Sequence, residues 1–359
     1  MPFLPPEALS DERSIATAAA RAITLAKGGE TRAALNLALQ ARRRAKGLEI
    51  DLGELEALNA AAIVHMIRGD AIAAVAVAID ACDLARRTSN RTLLGHSLVS
   101  LKMSAYNLGA CENVDEMLLH CIREAVELAD PAMEIRARVG LGVVLGDAGN
   151  FDAAEHEYTR ALLLARRHPN ATGAARITAN LANLHRKRAA AHFEEGLEAR
   201  ALHECAEAIR AAEWACQLAF EENNTAVQID AMAIQGCAHG LRGDMQRAHS
   251  LLRASVALGQ ASRCPTAVAW VLCELGRHCV ETDRLAEAHD AYTKVLDMGQ
   301  ELRPSRKIAL ACAGLAEVEA KLGNVTAARR WRERSADESA QFEIARLQTR
   351  RQLQAVLAP

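Results

Sequence analysis

Residues 149–161 read Gly-Asn-Phe-Asp-Ala-Ala-Glu-His-Glu-Tyr-Thr-Arg-Ala, and this stretch decides the fold. A Gly-Asn pair supplies a tight turn, and the residues that follow have the composition of a helix with alanine on one side. A second stretch, residues 284–292, reads Arg-Leu-Ala-Glu-Ala-His-Asp-Ala-Tyr and repeats the same order of small and aromatic residues. The chain therefore contains an internal repeat built on a turn and the helix after it.

The turn recurs along the chain at a constant interval. Its second residue lies at positions 30, 70, 110 and 150, and again at 244, 284 and 324, so the period is 40 residues. The interval from 150 to 244 is 94 residues, which is 14 more than two periods. Counting back one period from Asp244 predicts an unmarked turn at Glu204 and a 14-residue insertion at about residues 188–203. The sequence leaves open whether the insertion is a loop or a pair of longer helices.

Two columns of small residues support this register. The fourth residue after the turn position is alanine in seven of eight repeats, namely Ala34, Ala74, Ala154, Ala208, Ala248, Ala288 and Ala328, with Val114 as the exception. The eighth residue before it is small in seven of eight if the fifth repeat is counted forward from the fourth. These residues are Ala22, Ala62, Gly142, Ala182, Gly236, Gly276 and Ala316, with Lys102 as the exception. Two antiparallel helices joined by a tight turn approach closely, and a large side chain at their crossing would separate them.

The two quoted stretches closely resemble the core of a tetratricopeptide repeat. The resemblance covers about residues 11–340, and the 40-residue period resembles the longer-helix variety found in bacterial signalling and regulatory proteins. It implies an all-α, right-handed α-solenoid of about eight helix–turn–helix repeats, after a tail at residues 1–10. We call the first helix of each pair helix A and the second helix B. The family resemblance specifies the fold but no particular function, because such repeats serve many partners.

Composition agrees with a helical, intracellular protein. The 359 residues include 75 alanines and only 3 % aromatic residues, which favours helices that pack through small side chains. The formal charge of −2 gives no overall bias toward nucleic acid or an anionic membrane. No run is long enough to span a membrane, and residues 1–12 lack the features of a signal peptide. The ten cysteines form no CxxC pair, and those inside apolar helical stretches (Cys82, Cys121, Cys216 and Cys312) are expected to behave as small hydrophobes. These features predict a cytoplasmic location.

The A helices of such a superhelix line its concave side, and a stripe of residues on them predicts a binding groove. Spacings of three and four residues place the stripe on one helical face. The stripe is mostly apolar in the first four repeats, basic in the fifth and mixed afterwards. The predicted groove residues are Asn59, Ile63, Met66, Met103, Tyr106, Arg136, Arg176, Asn180, Asn183, Arg186, Lys187, Trp270 and Arg277.

This pattern predicts a protein or peptide partner with an apolar segment and a carboxylate or phosphate, which arginine binds through its fork of donors. The alternative is that the apolar residues pack against neighbouring helices and the basic run is a solvated surface. A nucleic-acid partner is disfavoured, since the basic cluster is local and lacks aromatic platforms. A membrane partner is not expected.

Catalytic and metal-binding motifs are missing from the sequence. It has no HExxH, no GxSxG and no phosphate-binding glycine loop. Twelve histidines are present, but neither His203 with Cys205 nor His278 with Cys279 has the spacing of two ligands on one helical face. His65 and His239 stand where this family usually has a tyrosine, so we expect them to pack. We therefore predict no enzyme activity, no cofactor and no metal site.

The C-terminal residues 325–359 predict one long capping or coupling helix. It resembles the exit helix by which tetratricopeptide sensor regions join an output domain such as a diguanylate cyclase or a kinase. Its apolar residues Ile344, Leu347, Leu353 and Val356 would form a homodimer seam, unless the helix only caps the last repeat. The sequence thus favours a peptide-binding regulatory or scaffolding module. The second hypothesis is a sensor of a small molecule or signalling peptide that acts through this helix.

Overall fold

The computed structural model describes residues 9–168, 173–262, 265–299 and 306–357, apart from the side chains of residues 265–266 and 355–357. The described residues form sixteen helices and no strand, which confirms the all-α prediction. In chain order they are α1 Glu12–Lys27, α2 Thr31–Gly47, α3 Asp51–Arg68, α4 Ala71–Arg87, α5 Arg91–Asn107, α6 Val114–Glu127, α7 Pro131–Asp147, α8 Phe151–Arg167, α9 Ala174–Glu194, α10 Glu198–Glu221, α11 Thr225–Leu241, α12 Met245–Ala261, α13 Pro265–Glu281, α14 Leu285–Asp297, α15 Arg306–Lys321 and α16 Val325–Leu357.

The predicted turns between helices A and B are present in seven repeats. Their glycines adopt a positive φ, for example +72° at Gly69 and +81° at Gly149, a conformation that costs other residues energy. At the end of α3 the amide of Gly69 donates to the carbonyl of Met66 and that of Asp70 to the carbonyl of His65. These paired bonds satisfy the last carbonyls of the helix. The turn without glycine keeps the same geometry, because Asp283 has a φ of +58°.

The fifth repeat departs from the prediction at Glu204. Glu204 lies inside α10, and the turn is at Gly196, whose φ is +74°. Leu197 is the residue before α10, so it lies 47 residues after Asn150 and 47 before Asp244. The 14 extra residues are therefore shared equally between two intervals, about two helical turns each. The insertion is two longer helices rather than a loop, and Ala201, not Ala208, holds the alanine position of that repeat.

The small residues lie where helices touch. A Cβ added to Gly142 would lie 2.7 Å from the ring of Tyr158 in the partner helix B, and the column alanines such as Ala74 and Ala288 are fully buried. Lys102, the exception in its column, is only 2 % exposed, and its Nζ has no hydrogen-bond partner among the described residues. Burial lowers the pKa of that amine. His65 and His239 are both 9 % exposed, in agreement with the predicted packing role.

The chain divides into two compact units. Unit 1 comprises residues 1–177 with 346–359, and unit 2 comprises residues 178–345. In unit 1 each helix A packs against the next, from α1 through α3 and α5 to α7; in unit 2, α11 packs against α13 and α13 against α15. Leu9, in the predicted tail, is buried in the unit 1 core. No described helix is both long enough and apolar enough to cross a membrane. The nine described cysteines are free thiols.

Candidate functional site

The apolar part of the predicted stripe in unit 1 lies on α3 and α5. Ile63, Met66, Met103 and Tyr106 are all half-buried, so each shares its surface between neighbouring helices and solvent. Met103 and Tyr106 pack against the core around α6 and α7, and Tyr106 donates a hydrogen bond of 2.8 Å to Asp147. These side chains pack against neighbouring helices and keep part of their apolar surface exposed, and their role in a binding groove stays a prediction.

Asn59 is buried beneath this surface. It is 7 % exposed and accepts a hydrogen bond of 2.9 Å from the hydroxyl of Ser97 on the next helix A. Its side-chain amide nitrogen has no hydrogen-bond partner among the described residues. A buried amide donor without a partner costs about 1–3 kcal/mol, and because this nitrogen is buried, Asn59 is not exposed to a ligand on the surface.

Arg136 on α7 forms the most distinctive polar cluster of unit 1. Its Nη2 donates to the Ser100 hydroxyl at 2.5 Å, and its Nη1 lies 3.1 Å from Nδ1 of His96. The other ring nitrogen of His96 lies 2.9 Å from Asp130, which also accepts from the amide of Met133 and so caps α7. His96 and Arg136 lie side by side because they occupy the same position of the stripe in consecutive repeats.

The charge of Arg136 has no direct counterion. No described carboxylate lies within ion-pair distance of the guanidinium, and its two hydrogen-bonding partners, His96 and Ser100, are neutral. Burial lowers the pKa of Arg136 to about 10, with Asp130 opposing the shift, so the group is still charged at neutral pH. Burial and the nearby Arg136 charge also lower the pKa of His96, although Asp130 opposes them, which keeps the imidazole neutral. Three of the five N–H donors of Arg136 remain for a bound anion.

The serine, histidine and aspartate of this cluster are not a catalytic triad. The Ser100 hydroxyl donates to the backbone carbonyl of His96 at 3.1 Å, and the two nitrogens of His96 face Arg136 and Asp130. A nucleophilic serine needs its hydroxyl hydrogen-bonded to the histidine nitrogen that accepts its proton. This arrangement provides cationic donors rather than an activated nucleophile.

The fifth repeat carries the predicted basic residues on α9. Arg176 belongs to unit 1 and is half-buried. Asn180, Asn183, Arg186 and Lys187 belong to unit 2 and are also half-buried. Asn183 accepts a hydrogen bond of 3.0 Å from Nε of Arg186, which leaves both terminal nitrogens of the guanidinium for other partners. No described carboxylate pairs with Arg186.

Two other predicted residues of the stripe have a different role. Arg277 lies between Glu274 and Glu281, at 2.7 and 2.6 Å, so two carboxylates of its own helix already neutralise it. It is therefore not a free cationic site, and sequence could have shown this, because both partners lie at helical spacings. Trp270 is half-buried and packs against the core of unit 2.

Sequence analysis also missed a pair that neutralises part of the basic run. Glu204 on α10 lies 3.3 Å from Arg188 and 2.7 Å from His185. Burial opposes the change, but these two partners lower the pKa of Glu204 below its usual value. The sequence predicts a turn at Glu204, so it does not indicate that Glu204 lies on a helix that faces α9.

The predicted dimer seam on α16 is only partly exposed. Ile344 is 57 % exposed and Leu347 is 42 % exposed, whereas Leu353 is 2 % exposed. Leu353 packs within its own chain and is not available for a seam; the side chain of Val356 lies outside the described residues. In unit 1, Arg346 donates to the carbonyl of Gly109 at 2.7 Å, and Arg350 pairs with Glu112 at 2.7 Å. The end of α16 is therefore attached to the turn between α5 and α6.

Comparisons with known proteins identify the fold. No family model and no curated protein sequence matches the chain. Among solved structures, a Rap protein complexed with Competence and Sporulation Factor has a TM-score of 0.58 at 11 % identity, covering 93 % of this chain and all of that one. The apo quorum sensor NprR of B. thuringiensis has a TM-score of 0.55 at 11 % identity, covering 88 % of this chain and 87 % of that one.

A third similar structure is BtubC of P. vanneervenii, with a TM-score of 0.50 at 17 % identity, covering 63 % of this chain and 89 % of that one. These three similar structures, each with a TM-score of 0.50 or more, agree with the tetratricopeptide-repeat fold predicted from the sequence. At these identities the likeness concerns the fold and leaves the function to be argued from the residues.

Proposed function

We propose that the chain is a regulatory or scaffolding module that binds a peptide or an extended protein segment on the surface of its A helices. Arg136 carries the proposal, because a half-buried guanidinium held by neutral acceptors lacks the counterion that such a charge requires. A ligand carboxylate would supply it through charge-assisted hydrogen bonds. Met103 and Tyr106 lie further along α5, the helix that carries His96 and Ser100, and are half-buried, so they would contact apolar ligand side chains.

The ligand we infer is a short peptide with at least one carboxylate, either an acidic side chain or its C-terminus. The similar Rap structure is a complex with Competence and Sporulation Factor, so a protein of this fold binds a partner, in agreement with this proposal. The proposed activity is binding in the cytoplasm, without catalysis.

A peptide selection tests the proposal. The full chain is immobilised, and a random peptide library is selected against the native protein and against the variant Arg136→Gln. We expect the native protein to enrich peptides with a carboxylate at a fixed position and the variant to lose that enrichment. Arg277→Gln is the matched control, since Arg277 is already neutralised by two glutamates and should select the same peptides as the native chain. Equal enrichment by the native protein and Arg136→Gln would contradict the proposal.

The alternative function, a sensor coupled to an output partner through α16, has one observation in its favour. The end of α16 is held to the turn after α5, the helix that carries His96 and Ser100. Ligand binding at Arg136 would then alter a helix contacted by the C-terminal segment. If the sensor hypothesis is correct, peptide binding should change the rate of amide hydrogen exchange in residues 346–353. Unchanged exchange in these residues would contradict the sensor hypothesis and favour the scaffold hypothesis.

A further inference from the structure

We propose that unit 2 contains a binding site for a thiophilic divalent cation of the zinc class, formed by His249, Cys279 and Glu287. One donor atom from each residue lies within 4.8 Å of the others. The residues come from α12, α13 and α14, so three consecutive helices converge on one point. The site is independent of the proposed peptide-binding arginines.

The distances allow coordination with small side-chain movements. His249 Nδ1 lies 4.0 Å from the sulfur of Cys279, and its Nε2 lies 3.5 Å from a carboxylate oxygen of Glu287. In a tetrahedral zinc site with bonds of about 2.0–2.3 Å, neighbouring donor atoms are roughly 3.3–3.8 Å apart. Closing the remaining gap requires shifts of about 1 Å, within the reach of side-chain torsions. Either nitrogen of His249 could serve as the ligand.

Burial favours a metal over a solvated network. Cys279 is completely buried, His249 is 9 % exposed and Glu287 is half-buried. On binding the ion, the Cys279 thiol would release its proton to solvent. The resulting thiolate and the Glu287 carboxylate together carry two negative charges, which a divalent cation neutralises without a further counterion.

A second observation at this point is the neighbouring His278. It is 4 % exposed, and its Nε2 is buried without a hydrogen-bond partner among the described residues. Its ring lies 5.7 Å from that of His249, measured between centroids. Buried imidazole nitrogens are normally hydrogen-bonded, and this one belongs to the residue next to Cys279. We expect it to be a hydrogen-bonding partner for a water bound to the ion.

The chemistry of the donors selects the type of ion. Sulfur and imidazole ligands favour zinc and related transition metals, whereas Mg²⁺ and Ca²⁺ prefer sites made of oxygen atoms. Three protein ligands leave a fourth position open, as in zinc sites that bind water or a substrate group. Arg253 lies 3.8 Å from the Glu287 carboxylate, so this arginine must move or share that carboxylate when the ion binds.

Cobalt substitution tests the site on the full chain. The protein is freed of metal with a chelator and titrated with Co²⁺, and Zn²⁺ is then added. We expect one equivalent of Co²⁺ to give a near-ultraviolet charge-transfer band of a sulfur–cobalt bond, and Zn²⁺ to displace it. Cys279→Ser should abolish the band and weaken zinc binding by more than the roughly 10- to 100-fold typical of losing an outer-shell residue. Cys273→Ser, six residues earlier on α13, should keep the band.

Several outcomes would overturn the proposal. These are no band in the native protein, a band that survives Cys279→Ser, or a band that Cys273→Ser also removes. Circular dichroism of each metal-free variant checks that it is folded. If Cys279→Ser does not fold, Glu287→Gln replaces it, because Glu287 is half-buried and retains its shape as glutamine. Unchanged zinc affinity in Glu287→Gln would then contradict the proposed ligand set.

Discussion

Close packing of A helices on an aromatic ring gives the most quantitative prediction. The ring of Tyr292 on α14 is 5 % exposed and lies between two glycines, Gly276 on α13 and Gly314 on α15. A Cβ added to Gly314 would lie 2.2 Å from the ring, and one added to Gly276 would lie 2.6 Å from it. The ring cannot move away from one helix without approaching the other. Gly314→Ala therefore forces the helices apart.

The expected cost follows from two opposing effects. Overpacking a core costs about 1–3 kcal/mol, and a contact this short places Gly314→Ala at the upper end. Replacing glycine by alanine inside a helix returns about 1 kcal/mol. We expect a net loss of about 2 kcal/mol in the free energy of unfolding. The matched control is Gly240→Ala in α11, whose new Cβ would meet its nearest neighbour, Ala248, at an ordinary 3.6 Å. The control should be neutral or up to about 1 kcal/mol more stable.

Urea unfolding of the native chain and both variants measures these values. The double variant Gly314→Ala with Tyr292→Leu should show less than the sum of the two single losses, because the smaller side chain relieves the clash. A Gly314→Ala protein as stable as the native chain would refute the packing argument, and so would equal effects at Gly314 and Gly240.

Three further predictions concern stability. Arg138 is 7 % exposed in its side chain and pairs at 2.7 Å with two half-buried glutamates, so Arg138→Ala should lose about 3–5 kcal/mol in urea unfolding. Leu353 is buried in unit 1, so Leu353→Ala should lose about 2–5 kcal/mol, whereas the exposed Leu347 should tolerate the change. Burial lowers the pKa of four histidines, so the unfolded chain binds more protons than the folded chain at mildly acidic pH. The free energy of unfolding should therefore fall as the pH is lowered from 7 to about 5.5. His278→Gln should make the free energy of unfolding depend less steeply on pH. The four are His96, His239, His249 and His278.

The repeat was predictable because turns and crossings constrain single residues. A glycine with positive φ ends seven of the A helices, and the helix crossings require small residues. These glycines and small residues recur at a constant interval in the sequence, and that interval is the period of the repeat. The error at Glu204 has the same origin. Two longer helices keep small residues at the helix crossings but change the interval between turns. The number of residues between Asn150 and Asp244 is the same whether the 14 extra residues are shared by two intervals or form a single insertion.

The site was less predictable because it depends on partners from other helices. In sequence, Arg136 and Arg277 are equivalent basic residues of one stripe. The structure separates them, since Arg277 is neutralised by glutamates of its own helix, whereas Arg136 meets only neutral groups of the preceding helix A. The candidate metal ligands were missed for the same reason. His249, Cys279 and Glu287 lie on three helices, and no spacing within one helix indicates their convergence.

The most direct test of the central claim is a binding cycle with a peptide from the selection. The peptide and an analogue with an amide in place of its carboxylate are titrated against the native chain and Arg136→Gln, with fluorescence anisotropy as the readout. A hydrogen bond to a charged group contributes about 1.5–3 kcal/mol, so the native affinity should fall roughly 10- to 100-fold on losing either partner. The account predicts that removing both partners costs little more than removing one. If instead the two losses are additive, or Arg136→Gln binds the carboxylate peptide as tightly as the native chain, Arg136 is not the group that recognises the ligand.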